Sequence, residues 1–280
     1  MIAIVVINYK TPELTIRFVR EECSKIQVEH AVVVVDNSST DLSFGKLKQS
    51  LPDAYILRCP ENQGFARANN QGAEYAINHF NPSFILFTNN DIHIREVNVV
   101  EEMMACLDNH SDAAAVGPEV IGPDGLRQGP EPRMSFAQRH LLPYWGKLFL
   151  SRQKLAQKTA SNYAQSASEG WHHHVSGAFF LVRTADFIQA GMFDPVTFLY
   201  AEEAILSERF ATIGKKVWFC SRVGVVHAHG ATTKKQYSYV RMRRLKFESE
   251  CYYFSEYLNT PRHLMLLGRL TLSLKEKLGH

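Results

Sequence analysis

The sequence lacks paired cysteines and long apolar runs. Its five cysteines are scattered over 280 residues at none of the short spacings of a zinc knuckle, which argues against a disulfide framework and for a reducing compartment. No window approaches the ~20 apolar residues of a membrane span. The apolar run at residues 2–7 is too short for a signal peptide and follows no basic region. We therefore expect a cytoplasmic protein.

The chain also lacks a strong net charge and an internal repeat. A formal net charge of +3 is too small to indicate nucleic acid, although it suits an anionic small ligand or a lipid surface. The length allows one large α/β domain or two small ones, with ample material for a core.

Apolar runs alternate with helical patterns in the first half of the chain. Buried strands are predicted at residues 2–7, 31–35, 54–57 and 83–88, with helices after Pro12 and at 65–80. This alternation implies right-handed parallel crossovers, and so a doubly wound, mostly parallel α/β sheet flanked by helices. Later segments predict a helix at 97–109, strands at 113–116, 178–182 and 216–220, and a helix at 202–212. The poorly patterned residues 127–170 are either a mobile lid or acceptor-side insertion, or an inert surface loop.

The fourth predicted strand ends in Asn89, Asn90 and Asp91. Open parallel sheets bind ligands beyond the carboxyl ends of their strands. One carboxylate at such a place favours Mg²⁺ or Mn²⁺ that is completed by water and a diphosphate. An ordinary Asn/Asp turn explains the same residues. The strand end is therefore a candidate metal site.

Two further polar clusters follow predicted strands. Asp36, Asn37 and Ser38 suit hydrogen bonding to a base or ribose, although they also make a good helix cap. Gly64 opens a helix with Arg67 in its first turn, an arrangement typical of phosphate contacts. An arginine on a solvated helix face is the alternative for Arg67.

In order and spacing, these motifs resemble glycosyltransferase family 2, and within it rhamnosyltransferase-like enzymes. The likeness covers roughly residues 2–232, an ordered set that is more specific than any single motif. It rests on Val6-Ile7-Asn8-Tyr9, Val35-Asp36-Asn37-Ser38, Asn62-Gln63-Gly64-Phe65, Thr88-Asn89-Asn90-Asp91, Ser176-Gly177-Ala178, Gly191-Met192-Phe193-Asp194, Tyr200-Ala201-Glu202-Glu203 and Val226-His227-Ala228-His229.

The resemblance implies the GT-A fold. It divides the chain into a catalytic domain at 1–235, with a nucleotide-binding half at 1–94 and an acceptor-binding half at 95–235, and a helical C-terminal extension at 236–280. It implies that a sugar passes from a UDP- or dTDP-linked donor to a hydroxyl of a saccharide or lipid-linked saccharide, in polysaccharide or glycoconjugate synthesis. It also implies an inverting reaction that depends on Mg²⁺ or Mn²⁺.

The resemblance gives several residues a role in donor binding. Asp91 matches the metal ligand of the family's Asp-x-Asp element, whose first acidic position is here the amide Asn89. His227 matches a downstream histidine that approaches the metal or diphosphate, with His229 as its substitute. The other expected donor contacts are Asn8, Asp36, Asn37 and Ser38 around the nucleoside, and Arg67, Asn70 and Asn90 nearby.

The pair Glu202-Glu203 matches an acidic pair that begins a helix beneath the acceptor. In the family the second member takes the acceptor proton, so Glu203 is the candidate base. Glu203 is one methylene longer than the usual Asp, and Ile205 stands where a further acidic residue is often found. Acidic residues at a helix start are also ordinary partners of the helix dipole.

The C-terminal segment intersperses leucines with arginines and lysines. A helix of this kind can lie on an anionic membrane surface, or it can dock on its own domain or on a second subunit in a homodimer. The run His172-His173-His174 is not expected to bind a metal, because consecutive strand residues alternate faces. Trp171 is a candidate for an acceptor pocket or for core packing.

The sequence therefore predicts a metal-dependent glycosyltransferase with no nucleic-acid partner. A non-catalytic nucleotide-sugar-binding protein stays open, because Asn89, Glu203 and Ile205 depart from the family pattern. A sugar-phosphate nucleotidyltransferase is disfavoured, because it needs a glycine-rich basic loop after the first strand, where Asn8-Tyr9-Lys10-Thr11 stands.

Overall fold

The computed structural model describes residues 1–38, 41–146, 160–228 and 238–277. Its strands are β1 (Ile2–Asn8), β2 (His30–Asn37), β3 (Tyr55–Cys59), β4 (Phe84–Thr88), β5 (Ile92–Ile94), β6 (Ala113–Ile121), β7 (Gly170–His172), β8 (Phe179–Arg183) and β9 (Lys216–His227). Its helices are α1 (Pro12–Arg17), α2 (Asp41–Ser50), α3 (Gly64–Phe80), α4 (Val99–Asn109), α5 (Leu142–Trp145), α6 (Ala160–Ser166), α7 (Thr184–Gln189), α8 (Glu202–Thr212), α9 (Tyr239–Glu256) and α10 (Arg262–Lys277).

The strands form one mixed sheet in the order β3-β2-β1-β4-β8-β6-β9-β5, with β7 beside β9. Strands β3, β2, β1 and β4 are parallel neighbours, as the alternation of strands and helices predicts. Strand β8 then pairs antiparallel with both β4 and β6. The α/β class with flanking helices is confirmed, and the parallel arrangement is continuous over the first four strands along the chain.

Strand β1 shows why the first apolar run has no polar alternation. Ile2, Ile4 and Val6 pack into the core on one face of the sheet, and Ala3 and Val5 pack into the core on the other. Successive strand side chains point to opposite faces, so a strand that is covered on both sides must be apolar throughout.

Small residues let α3 approach the sheet closely. A Cβ at Gly72 would lie 2.5 Å from Val5 Cγ1, and Ala66, Ala68 and Ala73 are fully buried beside it. This close packing fixes the start of α3, and with it the Gly64 motif, against the edge of the sheet where the strands end.

The two C-terminal helices dock on the domain. Ser249 of α9 donates to the Leu199 carbonyl, and the hydroxyls of Tyr252 and Tyr257 both donate to Asp194 Oδ2. Helix α10 packs through Gly268 against Phe136. Among the described residues no helix is long and apolar enough to cross a membrane.

Candidate active site

A cavity of about 630 Å³ opens at the carboxyl ends of β1, β2 and β4. One end is lined by Asn37, Asn62, Asp91 and His227, and Glu203 lies on the wall of the same cavity. The edge of the sheet therefore brings together residues that are more than a hundred positions apart. The opposite end is lined by residues of the poorly patterned segment, of α9 and of the stretch after β7, among them Glu131, Arg139, His174, Met242, Lys246 and Glu250.

Asp91 and His227 face each other across 3.1 Å, from Oδ1 to Nε2. Strand β5 pairs with β9 so that Ile92 lies opposite His227, which places the strand-end aspartate beside the histidine. His227 Nδ1 lies 2.6 Å from Gln128 Oε1, a contact that orients the ring. Asn89 Nδ2 lies 3.2 Å from the same Nε2.

The separation of Asp91 and His227 fits two ligands of one divalent cation. Ligands on adjacent corners of an octahedral Mg²⁺ or Mn²⁺ site lie about 3 Å apart, and both ions accept oxygen and imidazole donors. Within the described ranges no group of three or more His, Cys, Asp or Glu is arranged to hold a metal. At this strand end the protein therefore offers two charged or imidazole ligands rather than a complete cage.

A buried chain of polar side chains supports this end of the cavity from below. Asn90 Nδ2 donates to Thr15 Oγ1, Thr15 Oγ1 donates to Asn8 Oδ1, and Asn8 Nδ2 donates to Asp36 Oδ1 at 2.6 Å. Asn8 and Asp36 are fully buried and do not line the cavity, whereas Asn90 does. Asp36 Oδ2 has no hydrogen-bond partner. An unpaired buried carboxylate oxygen costs free energy. It marks a place where a hydrogen-bonding N–H or O–H group of a ligand could bind after a small movement of the neighbouring side chains.

The Gly64 motif connects the end of β2 with the loop that precedes α8. Asn37 Nδ2 donates to Asn62 Oδ1 and Asn37 Oδ1 accepts from the Gln63 N–H, which fixes the loop before α3. Gly64 has a φ of 80°, and a Cβ there would lie 2.2 Å from the Phe198 carbonyl oxygen. Only glycine meets both requirements without strain.

The structure places Arg67 and Asn70 outside the cavity lining. Arg67 Nε donates to the Pro195 carbonyl, and Asn70 exchanges two hydrogen bonds with the backbone of Phe193. Both side chains tie α3 to the loop that precedes α8. Their expected role near the sugar donor therefore stays a prediction, with both side chains bonded to backbone groups of that loop in this structure.

Other expected residues are also placed. Ser38 has a left-handed backbone with φ 68° and is absent from the cavity lining. Trp171 lies outside the cavity and packs edge-on against Trp218, so it forms no part of an acceptor pocket there. His172 bonds to Tyr163, whereas His173 and His174 both line the cavity, because β7 ends at His172 and the alternation of a strand does not extend to the two residues after it. His229 lies outside the described residues.

Glu203 reaches the cavity from a strained turn. Tyr200 and Ala201 have φ values of 77° and 70°, a backbone region that non-glycine residues occupy at some cost. This turn starts α8 and directs both Glu202 and Glu203 into the cavity. Such strain is typical of functional sites, because the surrounding packing must maintain it.

The Glu203 carboxylate rests on the backbone of Gly177. A Cβ at position 177 would lie 1.9 Å from Glu203 Oε1, so the carboxylate packs directly against the Gly177 backbone. Burial raises the pKa of Glu203, and the negative charge of Glu131 raises it further. A carboxylate with a raised pKa is a stronger base.

Glu202 is the more buried member of the acidic pair. Burial, followed by the charge of Glu203, raises the pKa of Glu202 well above the usual carboxylate range, and Glu202 Oε1 has no hydrogen-bond partner. Two adjacent buried carboxylates disfavour two simultaneous charges. The pair therefore favours a protonated Glu202 beside an ionised Glu203.

The far end of the cavity contains a charged network that was not predicted from the sequence. Arg139 forms ion pairs with Glu131 and with Glu250, the latter at 2.9 Å from Nε to Oε1. Burial lowers the pKa of His174 to about 3, so this ring is neutral. Short-range patterns did not identify Glu131, Arg139 and Glu250, because these residues come from the unpatterned segment and from α9.

Fold and cavity together define an α/β protein with a polar cavity at the carboxyl ends of its parallel strands. The family model "Glycosyl transferase family 2" matches residues 3–187, and the chain belongs to that family. The GT-A fold also appears in solved structures. PcManGT, a mannosyltransferase from Pyrobaculum calidifontis in complex with GDP-Man and Mn²⁺, has TM-score 0.60 at 15% identity over 97% of this chain and 69% of its own. GalNAc-T7 with UDP, GalNAc and Mn²⁺ has TM-score 0.59 at 14% identity, over 91% and 47%.

A curated relative is similar in sequence. The N-acetylglucosaminyl-diphospho-decaprenol L-rhamnosyltransferase of Mycobacterium tuberculosis (strain CDC 1551 / Oshkosh) is 26% identical over 200 residues, which is 67% of this chain. The matched region spans 62% of the length of that relative.

Proposed function

We propose that the protein is an inverting, metal-dependent glycosyltransferase that uses a UDP- or dTDP-linked sugar, with a lipid-linked saccharide as acceptor. The observation that carries this proposal is the shared cavity of Asp91, His227 and Glu203. The rhamnosyltransferase relative supports a deoxysugar donor and a lipid-linked acceptor. Mn²⁺ in the two structural neighbours supports a divalent cation.

Each group has a distinct task in this proposal. Asp91 and His227 would hold Mg²⁺ or Mn²⁺, and the cation would neutralise charge on the leaving diphosphate. The Glu203 carboxylate accepts the proton of the acceptor hydroxyl as its oxygen bonds to the anomeric carbon. The bond from that carbon to the diphosphate breaks, and its electron pair leaves on the phosphate oxygen. No second carboxylate needs to protonate the leaving group.

Donor binding is expected to require Asp91. In wild type, UDP- or dTDP-sugar with Mn²⁺ at about 100 times Kd should stabilise the fold by about 2.7 kcal/mol, which raises Tm by several degrees. Asp91→Asn should lose most of this Mn²⁺-dependent rise, because an amide is a weaker ligand than a carboxylate. Differential scanning fluorimetry measures both, with the exposed Asp53→Asn as control. A full Mn²⁺-dependent rise in Asp91→Asn would contradict the assigned metal site.

We also propose that α10 contacts the inner face of an anionic membrane, where a lipid-linked acceptor is found. Leu266 and Leu270 are 62% and 63% exposed on one face of α10, beside the exposed Arg262 and Arg269. The carboxylate of Glu276 is paired with Arg244 at 2.8 Å. An apolar face flanked by cations suits an anionic lipid surface.

Membrane binding is expected to depend on these leucines. The double substitution Leu266→Ser and Leu270→Ser should weaken binding to vesicles with anionic lipid by about 10-fold or more, because both side chains lose apolar contact. Co-sedimentation measures the partition coefficient. Leu42→Ser, at an 87% exposed leucine on α2, is the matched control. Equal binding by all three proteins would refute a role of α10.

A further inference from the structure

One face of α9 forms a wall of the cavity and continues beyond it. Met242, Lys246, Glu250 and Tyr253 all line the cavity, at spacings that keep them on one side of a helix. Tyr239 extends the same side by one turn and is 67% exposed. From Tyr253 to Tyr239 this face measures about 21 Å. It leads from the interior of the cavity to the surface.

The chemistry along this face changes in a definite order. At the inner end Glu250 is neutralised by Arg139, and the Tyr253 hydroxyl donates to Glu208. Lys246 follows, and Met242 and Tyr239 then supply an apolar surface. The face thus presents satisfied polar groups, then a cation, and then apolar side chains.

Lys246 stands out in this cavity as a cation without an ion pair. Among the described residues no carboxylate lies within 4.0 Å of its Nζ, and its closest aromatic contact is the Tyr200 ring, 5.7 Å from Nζ to the ring centroid. Arg139, by contrast, is held by two carboxylates. The positive charge of Lys246 also lowers the pKa values of Glu131 and Glu203, which places its ammonium group on the same side of the cavity as the base.

We propose that this face of α9 is the track that binds an amphiphilic acceptor. The acceptor sugar lies at Glu203, a phosphate or diphosphate lies at Lys246, and a lipid chain leaves past Met242 and Tyr239. The order of groups along the helix matches the order of groups in a sugar that is joined through phosphate to a lipid. This inference rests on the proposed transferase function and specifies where the lipid-linked acceptor binds and which residue contacts its phosphate.

A pair of acceptors tests the track. One is an N-acetylglucosaminyl-diphospho-lipid, and the other is an alkyl N-acetylglucosaminide with a chain of the same length and no phosphate. Wild type, Lys246→Met, Lys246→Arg and Lys48→Met are compared with both. Lys48 is a matched control, because it is an exposed lysine over the Phe44 ring and lies outside the cavity lining.

Lys246→Met should lower kcat/KM for the diphosphate acceptor by about 10- to 100-fold, mainly through KM, because it removes one charge-assisted contact. The alkyl glycoside should change by less than about 3-fold, since it makes no such contact. Lys246→Arg should recover most of the loss, and Lys48→Met should behave like wild type. The affinity for the nucleotide donor should be equal in all four proteins.

Other outcomes separate the competing explanations. An equal loss on both acceptors would overturn the track and assign Lys246 to the electrostatics of Glu203. A weaker donor affinity would overturn it in favour of a contact to the donor diphosphate. Unchanged rates on both acceptors would also overturn it while leaving the transferase function intact. Absence of transfer by wild type with every donor and acceptor would instead refute the proposed function.

Discussion

Glu203→Gln is expected to lower kcat for sugar transfer by about 10²- to 10⁴-fold, the usual contribution of a positioned base. Glutamine keeps the shape of the side chain but cannot accept the hydroxyl proton. The assay is the initial rate of nucleoside diphosphate release in the presence of acceptor. Donor affinity should stay within about 2-fold of wild type, since Glu203 acts on the acceptor side.

The pH dependence of kcat provides an internal check on this variant. Burial and the charge of Glu131 raise the pKa of Glu203, so the wild-type rate should be present above that raised pKa and lost as pH falls through it. The acid limb should lie above the ordinary glutamate value of about 4.3 and disappear in Glu203→Gln. Glu256→Gln, at an exposed glutamate of α9, should keep both rate and limb. A Glu203→Gln protein with full activity would remove Glu203 as the base.

Gly177→Ala is expected to lower kcat for sugar transfer nearly as much as Glu203→Gln does, without unfolding the protein. The new Cβ would occupy the place of Glu203 Oε1, which lies 1.9 Å from it. The atoms within 3 Å of the new Cβ, Oε1, Cδ and Cγ, all belong to the Glu203 side chain and none to the backbone, so the side chain can turn aside without a backbone shift. A base that is displaced by about 1 Å loses about 10²-fold in rate. Steady-state kinetics and thermal unfolding of the same sample measure both effects.

A second substitution should restore part of the activity that Gly177→Ala removes. Adding Glu203→Asp to Gly177→Ala shortens the arm by one methylene and leaves room for the Cβ, so part of the activity should return. Gly45→Ala is the matched control, because nothing lies within 4 Å of a Cβ there and alanine is the better helix former. Wild-type kinetics in Gly177→Ala would show that the Glu203 carboxylate works from another position.

Local sequence patterns predicted the strand ends that form the cavity end containing Asp91 and His227. The ends of β1, β2 and β4 are set by apolar runs that stop at polar residues, and parallel pairing brings those ends to one edge. Asp91 and His227 are joined by the pairing of β5 with β9, and the ordered resemblance to the family identified both residues. The short strand β5 itself was not predicted, because three residues carry too little periodicity.

Long-range packing determines which of the other predicted side chains line the cavity. Arg67 and Asn70 have the residue types of ligand contacts, but the loop at 193–195 lies close enough to take their hydrogen bonds. Asn8 and Asp36 pair with each other and are buried. The far end of the cavity depends on how α9 returns to the domain, which no local motif encodes. Of the residues singled out from the sequence, Asn37, Asn90, Asp91, Glu203 and His227 line the cavity, whereas Asn8, Asp36, Ser38, Arg67 and Asn70 do not.

The most direct test is an experimental structure of the protein with an unhydrolysable nucleotide-sugar analogue and Mn²⁺. We expect a diphosphate beside Asp91 and His227, with the anomeric carbon of the sugar open to a hydroxyl held at Glu203. A donor bound elsewhere, or a sugar turned away from Glu203, would contradict the assignment of metal site and base to one catalytic cavity.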